Sequence, residues 1–490
     1  MKAHLMFKDK DFNIEAETCF NQLTLIDDLE LQYILDVMAD EDKIIKLSCE
    51  KALFSPLKSS EEILYRQEIL QDVLQNSATV RKLYKLTVET EEKRKSSWHW
   101  LSTSYALSTN FACAAEFLKL YTETLKQLRM IADDEFSKFH SLGFRNLFVT
   151  LQKELSDDYL LEVQSLLDDL LDDNTMLVSA ELGDYLQGIN YVLRQKNHKN
   201  FWLRWRFAPA YTLAERDETS SKDFRKRQDR AINEATNALA QAAEHLEHFF
   251  DMLRQELAFY VGCLNLADEL KNIGMPICFP QILSIDSQNR IVQNLYDISL
   301  ALTKQMPIVG NDLDSNNKLL YLVTGANQGG KSTFLRSIGQ AQLMAQCGMF
   351  VGANVCSLPL RKAILTHFKK EEDASMTSGK LDEELVRMDD LVNHLERSSL
   401  ILLNESFAST NEHEGSEICQ QITEALINND IEVFSVTHLY TYAKSFLNND
   451  LAEFLKAERL DDGTRTFKLV KGKPSESAFG LDLYYEIFDK

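Results

Sequence analysis

The sequence predicts an α-helical module followed by an α/β domain, and three observations carry that expectation. First, the N-terminal half is poor in helix breakers: no proline stands between Pro209 and Pro276, and no glycine between Gly188 and Gly262. Second, from Ile277 onward the texture changes to short apolar runs, turns and amphipathic segments, the pattern of strands alternating with helices. Third, one passage, Leu319 to Thr333 (LLYLVTGANQGGKST), reads as a short buried strand, a glycine-rich loop and the start of a helix.

The elements follow in order. Asp27-Asp28 is expected to cap a helix through Leu31, Ile34, Leu35 and Met38, and Phe54-Ser55-Pro56-Leu57 breaks that pattern. Ser59-x-x-Glu62 reads as a capping box before Ile63, Ile69, Leu70 and Val73. More helix is expected from Ala78 to Gln152, interrupted at Lys93 to Ser97, with Trp98-His99-Trp100 as packing residues. One or two shorter elements follow from Ser156 to Leu193, ending in a turn near Gly183 or Gly188, and then a loop from Pro209 to Ser221. A single long helix is expected from Phe224 to about Asn272. Leu239, Leu246, Leu253 and Tyr260 recur every seven residues, and Ala235, Ala242, Phe249 and Cys263 form a second row interrupted by Glu256. Gly274 and Pro276 end it. Cys278 to Gly310 has the look of an antiparallel β region. Beyond it come strands at Leu319–Val323, Leu400–Leu403 and Val433–Val436, and helices at Phe334–Cys347 and Ser416–Asn428.

Composition narrows the class. The chain has 490 residues, enough for two to four domains, and ordinary globular hydrophobicity. No apolar run is long enough to span a bilayer, and the polar sequence after Met1-Lys2-Ala3-His4 is no signal peptide. Eight scattered cysteines without a CxxC pair fit a reducing cytoplasm and oppose a disulfide framework or zinc site. A net charge of -22 opposes whole-surface binding to nucleic acid. A local basic surface remains open at Arg194 to Arg230, where eleven Lys/Arg stand against five Asp/Glu, interleaved with Trp202, Trp205 and Phe207. The stretch from Glu154 to Asp173 is acidic.

The chemistry concentrates around the loop Gly325-x-x-x-x-Gly330-Lys331-Ser332. Strand, glycine-rich loop and helix in this order form the context of a phosphate-binding P-loop. Backbone N–H groups of Gly325, Ala326, Asn327, Gln328, Gly329, Gly330, Lys331, Ser332 and Thr333 would turn onto phosphate oxygens at a helix N-terminus. Lys331 would neutralise the β- and γ-phosphates of ATP, and Ser332 would bind Mg²⁺. Hydrolysis also needs an acid that organises metal and water. Leu400 to Leu403 is an apolar strand ending in Asn404-Glu405, 73 residues beyond Lys331. Glu405 is the candidate for polarising the attacking water, and Asn404 stands at the metal position where an Asp is usual. A third strand ends in Thr437-His438, where His438 would sense the γ-phosphate or hold water.

These residues carry a resemblance. Thr324–Ala353 (TGANQGGKSTFLRSIGQAQLMAQCGMFVGA) resembles the TGxNxxGKST loop and following helix of the ATPase domain of the MutS family of DNA mismatch-repair proteins. Leu400–Gly415, Ser435–Tyr440 and Ser475–Leu481 resemble that family's later motifs in the same order, and Ser378-Gly379-Lys380 resembles its ABC-type signature loop. A weaker similarity, from Leu53-Phe54-Ser55-Pro56-Leu57 through Arg66 to Asn76, extends to the family's core helices. The resemblance implies an α-helical core and lever module at residues 1–275, with a reduced clamp region near 155–225, followed by an ABC-type P-loop ATPase domain at 276–490. It implies ATP and Mg²⁺ as cofactors, a homodimer completing each site in trans, and adenine contacts at Ile308-Val309-Gly310-Asn311. It also implies clamp-like movement on mismatched, branched or otherwise abnormal DNA, with action on a protein partner as the alternative. Three departures stand out: Asn404 replaces the metal-site Asp, Ser406-Phe407-Ala408-Ser409 replaces a glycine-arginine loop, and neither the N-terminal mismatch reader nor a C-terminal dimerisation segment is expected.

Overall fold

The computed structural model describes residues 1–101, 107–171, 176–194, 212–214, 217–370, 379–460 and 463–474, with 97–101 and 186 described by backbone alone. The Trp98-His99-Trp100 side chains, the Trp202, Trp205 and Phe207 part of the basic stretch, Ser378 and Ser475–Leu481 lie outside the described residues. The chain forms two compact units: Met1–Leu5, Asp9–Phe12 and Gln75–Leu257 in one, and Met6–Lys8, Asn13–Leu74 and Ala258–Lys490 in the other. This division does not follow a cut at 275/276, because the helices within 13–74 pack with the C-terminal half of the chain. Arg66 shows why. Its buried guanidinium donates to the carbonyls of Cys347 (2.9 Å) and Met6 (3.1 Å), both in that same unit.

Among the described residues the first unit is mainly helical, with one hairpin. Helices Ser77–Leu101, Leu107–Glu135, Leu142–Glu154 and Asp157–Leu171 precede strands β1 (Leu177–Leu182) and β2 (Gly188–Arg194), which pair antiparallel. Phe139, Phe144 and Phe148 form one aromatic knot, with ring centroids 4.5 to 5.8 Å apart. The helix from Ser77 runs straight through the expected break at Lys93 to Ser97. No glycine or proline stands there, and Arg94 pairs with Glu91 and Glu247 on the helix surface, so charge alone does not end it.

The long helix spans Glu218–Ile273, 56 residues, and at 1.5 Å per residue measures about 84 Å. Its burial departs from the expected heptad stripe. Leu253 and Tyr260 are buried, Leu239 and Leu246 only half-buried, and Ala242 is exposed. From Leu257 onward nearly every side is covered, as a helix inside a core requires. Glu256, which interrupts the second row, is itself fully buried and accepts a hydrogen bond from the Leu5 N–H at 2.6 Å.

The second unit opens with helices Gln22–Asp28, Leu31–Ala39, Lys43–Leu53 and Ser60–Gln75. Asp27 and Asp28 end the first of these rather than capping the second, whose entry is Glu30 in the left-handed region (φ 52°); buried Leu25 and Leu29 start the apolar stripe a turn earlier. The Glu62 N–H does bond to the Ser59 hydroxyl (3.2 Å), as the capping box requires.

Two sheets complete this unit. A four-stranded sheet has the order β3 (Gln281–Leu283), β7 (Val355–Pro359), β4 (Arg290–Leu295), β5 (Asn311–Ser315). The expected antiparallel region also holds a helix, Ile298–Lys304, because Asp297 caps it at the Leu300 N–H (3.2 Å). The six-stranded sheet has the order β12 (Arg465–Lys471), β11 (Ala452–Arg459), β6 (Leu320–Gly325), β10 (Glu432–Val436), β9 (Leu400–Asn404), β8 (Ile364–Phe368). From β11 to β8 all pairs are parallel, and only β12 runs against its neighbour. Strands β6, β8 and β10 are buried along their whole length, which fits their largely apolar sequences. Helices Lys331–Gln346, Lys380–Asn393 and Glu412–Asn428 cover the sheet. Among the described residues no helix is long and apolar enough to cross a membrane.

Candidate functional site

The parallel register puts the ends of β6, β9 and β10 side by side. Val436 pairs with both Val323 and Asn404, so the loop after β6 and the residues after β9 and β10 share one edge of the sheet. In open α/β sheets this carboxyl edge is where ligands bind.

The loop after β6 is closed by its neighbours. Gly325 (φ 107°) ends the strand, and Gly330 (φ 86°) leads into the helix that begins at Lys331. A Cβ on Gly325 would lie 2.9 Å from the Ala457 backbone nitrogen, and one on Gly329 would lie 2.7 Å from the Ala457 Cβ. Both glycines therefore answer to β11, and Gly325 also to its left-handed backbone conformation. Lys331 is buried, and its ammonium donates to the carbonyls of Gly325 and Ala326, both at 3.0 Å. Burial pushes this ammonium down from its ordinary range, Glu405 opposes the shift, and Arg465 adds to it.

Ser332 and Asn404, the two residues expected at a metal, meet directly: the Ser332 hydroxyl donates to Asn404 Oδ1 at 2.9 Å. Glu405 follows in the left-handed region (φ 54°), tied by its N–H to the Val436 carbonyl (2.9 Å). A non-glycine residue held there is strained by on the order of 1 kcal/mol, and such strain concentrates where a side chain must be aimed. The His438 imidazole, 3.8 Å away, lowers the Glu405 carboxyl pKa. Partial burial raises it, but the Lys331 and Lys369 ammoniums add to the lowering, and the group ends below the usual carboxylate range. Glu405 is therefore an anion at neutral pH.

A cavity of about 660 Å³ opens at this edge. Its walls are the loop from Asn327 through Thr333, Glu405, the segment Met306 to Val309 with Asn311, and Phe467. Gly325, Ala326, Asn404 and His438 stand behind or beside this wall, and His438 is exposed. Of the segment Ile308 to Asn311, Ile308, Val309 and Asn311 line the same cavity. A volume of this size and a mainly apolar wall with a few polar groups suit a small-molecule ligand.

Three features were not foreseen from the sequence. The β11–β12 hairpin forms a wall of the loop, through Ala457, Phe467 and Arg465. His367, at the end of β8, holds the segment after Glu405: its Nδ1 lies 2.7 Å from the Ser406 hydroxyl and its Nε2 donates to the Glu384 carbonyl (3.0 Å). Burial, then the charge of Arg387, lowers the His367 pKa to about 4, so it works as a neutral hydrogen-bonding group. The Glu384 carboxylate accepts the Phe407 N–H at 2.5 Å, fastening the same turn to helix Lys380–Asn393.

Fold and site together define a mixed-sheet α/β domain with a glycine-rich loop at a ligand-sized cavity, accompanied by a helical module. Comparison with known families goes further. The MutS2 N-terminal domain matches residues 58–273 and MutS domain V matches residues 321–485, which together cover most of the chain. The chain belongs to the MutS family. It is 25% identical over 381 residues to the DNA mismatch repair protein MutS of Acholeplasma laidlawii, a match covering 74% of this chain and 41% of that protein. It is 26% identical over 247 residues to human MutS protein homolog 4 (47% and 26%), and 30% identical over 171 residues to Endonuclease MutS2 of Thermus thermophilus (34% and 22%). The chain thus spans less than half the length of these relatives.

Proposed function

We propose that this chain is an ATPase of the MutS type, whose ABC-type P-loop site binds and hydrolyses ATP and couples that cycle to movement on mismatched, branched or otherwise abnormal DNA. The observation that carries the chemistry is the convergence at one sheet edge of the Lys331 ammonium, the Ser332–Asn404 oxygen pair and the ionised Glu405 carboxylate. The loop N–H groups from Gly325 to Thr333 and Lys331 hold phosphate, Glu405 takes a hydrogen bond from the attacking water, and His438 orients Glu405 or the γ-phosphate. Ile308 to Asn311 receive the base.

Mg²⁺ fits the donor set, since Ser332 Oγ and Asn404 Oδ1 are hard neutral oxygens 2.9 Å apart beside a carboxylate. Ser332 would ligate it and Asn404 would support it, and the ion supplies charge neutralisation at the phosphates. Asn404 brings no charge of its own. Asn404→Asp is therefore expected to lower the Mg²⁺ concentration needed for half-maximal nucleotide binding by about tenfold. The measurement is an Mg²⁺ titration of nucleotide binding, and an unchanged midpoint would remove Asn404 from the metal site.

The DNA part rests on family membership and on the basic stretch Arg194–Arg230. By the family pattern two copies pair, each completing the other's site near Gly379-Lys380. The net charge of -22 and the acidic helix Asp157–Leu171 favour a second reading, in which the same ATPase acts on a protein partner. Hydrolysis measured with duplex, mismatched and junction DNA at low salt separates the two. On the DNA reading at least one form binds and changes the rate severalfold; if none binds in the presence of ATP, the protein-partner reading stands.

A further inference from the structure

The β11–β12 hairpin brings to the loop a cation that the mechanism above does not use. Arg465 stands on β12, and its Nη1 donates to the side-chain oxygen of Gln328 at 2.9 Å. Gln328 lines the cavity and sits in the left-handed region at φ 57°. The Nε of the same guanidinium is buried and has no hydrogen-bond partner among the described residues. The hairpin is fixed against the loop on either side of this contact. β11 pairs with β6 as far as Ala457 and Gly325, and the Phe467 carbonyl lies 3.4 Å from where a Cβ on Gly330 would stand.

A guanidinium is a planar, permanently charged fork of donors shaped for phosphate oxygens. A neutral amide oxygen meets one of its N–H groups and none of its charge, so the contact with Gln328 leaves most of its binding capacity unused. Resting on the nucleotide reading above, we propose that Arg465 is a second phosphate-binding cation of this site, exchanging the Gln328 oxygen for a phosphate oxygen of a bound nucleoside di- or triphosphate. The exchange replaces a charged–neutral hydrogen bond by one between two charges, the stronger kind. Two cations, Lys331 from the loop and Arg465 from the hairpin, then grip the phosphate chain from different elements. Their proximity fits the downward push that Arg465 adds to the Lys331 ammonium, after the larger effect of burial. The selectivity that follows is for nucleotides with more than one phosphate, and the donor comes from the same chain.

The rival explanation is that Arg465 only shapes the loop by holding Gln328. Full-length wild type, Arg465→Gln, Arg465→Lys, Gln328→Ala and the Gln328→Ala/Arg465→Gln pair separate the two, each titrated with a fluorescent ADP analogue and competed with ATP and with ADP. Expected is a loss of about tenfold in affinity for ATP and ADP in Arg465→Gln, a smaller loss in Arg465→Lys, and the same tenfold loss when Arg465→Gln is made on top of Gln328→Ala. Arg465→Gln with wild-type affinity, or a loss that vanishes in the Gln328→Ala background, overturns the proposal and leaves the nucleotide reading intact. If Arg465→Gln does not fold, Arg465→Lys in the two Gln328 backgrounds carries the same decision. Wild type that binds neither nucleotide overturns both readings together.

Discussion

Glu405→Gln is expected to lower the rate of ATP hydrolysis by about 10²- to 10⁴-fold while ATP still binds. The substitution keeps the size of the side chain, its tie to the Val436 carbonyl and its left-handed backbone, and removes only the charge. On the proposed mechanism that charge accepts a hydrogen bond from the attacking water. Three cationic or hydrogen-bonding groups, His438, Lys331 and Lys369, keep the carboxylate ionised at neutral pH. On that mechanism the amide also removes a negative charge close to the phosphate-binding Lys331, so affinity for ATP is expected to hold or rise. A steady-state hydrolysis assay beside an equilibrium binding assay checks both halves.

Glu432→Ala is expected to cost roughly 3–5 kcal/mol of the stability of the second unit. Glu432 opens β10 and is fully buried between two arginines. It accepts from Arg290 at 3.0 and 2.8 Å and from Arg361 at 2.8 Å, and Arg290 also donates to Gln342 at 2.9 Å. Removing the carboxylate leaves two guanidiniums in the interior with no counter-charge. Burial pushes the Glu432 carboxyl up, but the two guanidiniums outweigh it and hold the group below its ordinary value of 4.5. Because the folded value is depressed, this stabilisation is fully present above pH 4.5 and is lost as pH falls below it. Thermal melts of Glu432→Ala near neutral pH are expected to show the transition of this unit lowered by on the order of 10 °C. A midpoint within experimental error of wild type would mean that the network is not a structural clamp.

The parts of the site that were legible in the sequence are those written in consecutive residues. Leu320 to Val323, Leu400 to Leu403 and Val433 to Val436 are short runs, apolar but for the Tyr321 hydroxyl and Ser435, because both faces of the parallel sheet are covered. Each ends in polar residues, Thr324-Gly325, Asn404-Glu405 and Thr437-His438, because each strand ends where the sheet meets the cavity. The direct contact of Ser332 with Asn404 joins two residues singled out independently from different strand ends.

What was illegible depends on residues that meet only after folding. Glu432 finds Arg361 and Arg290 across 71 and 142 residues, and nothing near any of them in sequence marks the pairing. The strand Ala452–Arg459 carries charge at Glu453, Lys456, Glu458 and Arg459 and is buried only in part, so it lacks the apolar signature of its neighbours. The hairpin it forms with β12 was missed for that reason, and with it Ala457, Arg465 and Phe467. Asp461-Asp462-Gly463, between two runs with β-forming residues, was the one local sign of a turn. His367 and Glu384 were overlooked because their roles, holding the turn after Glu405, depend on β8 lying next to β9. The helical half shows a different limit: periodicity marked the long helix correctly in kind, but a helix covered on nearly every side from Leu257 to Ala267 has little stripe to read.

On the proposed function, the loop after β6 and the residues after β9 act together as one ATP-hydrolysing site. The most direct test follows bound and cleaved nucleotide in the same sample. Wild type and Glu405→Gln are each mixed with labelled ATP and Mg²⁺, separated from free nucleotide, and analysed for ATP and ADP over time. Expected is conversion to ADP on wild type and persistence of intact, bound ATP on Glu405→Gln. Equal conversion on both proteins, or no bound nucleotide on wild type, would contradict it.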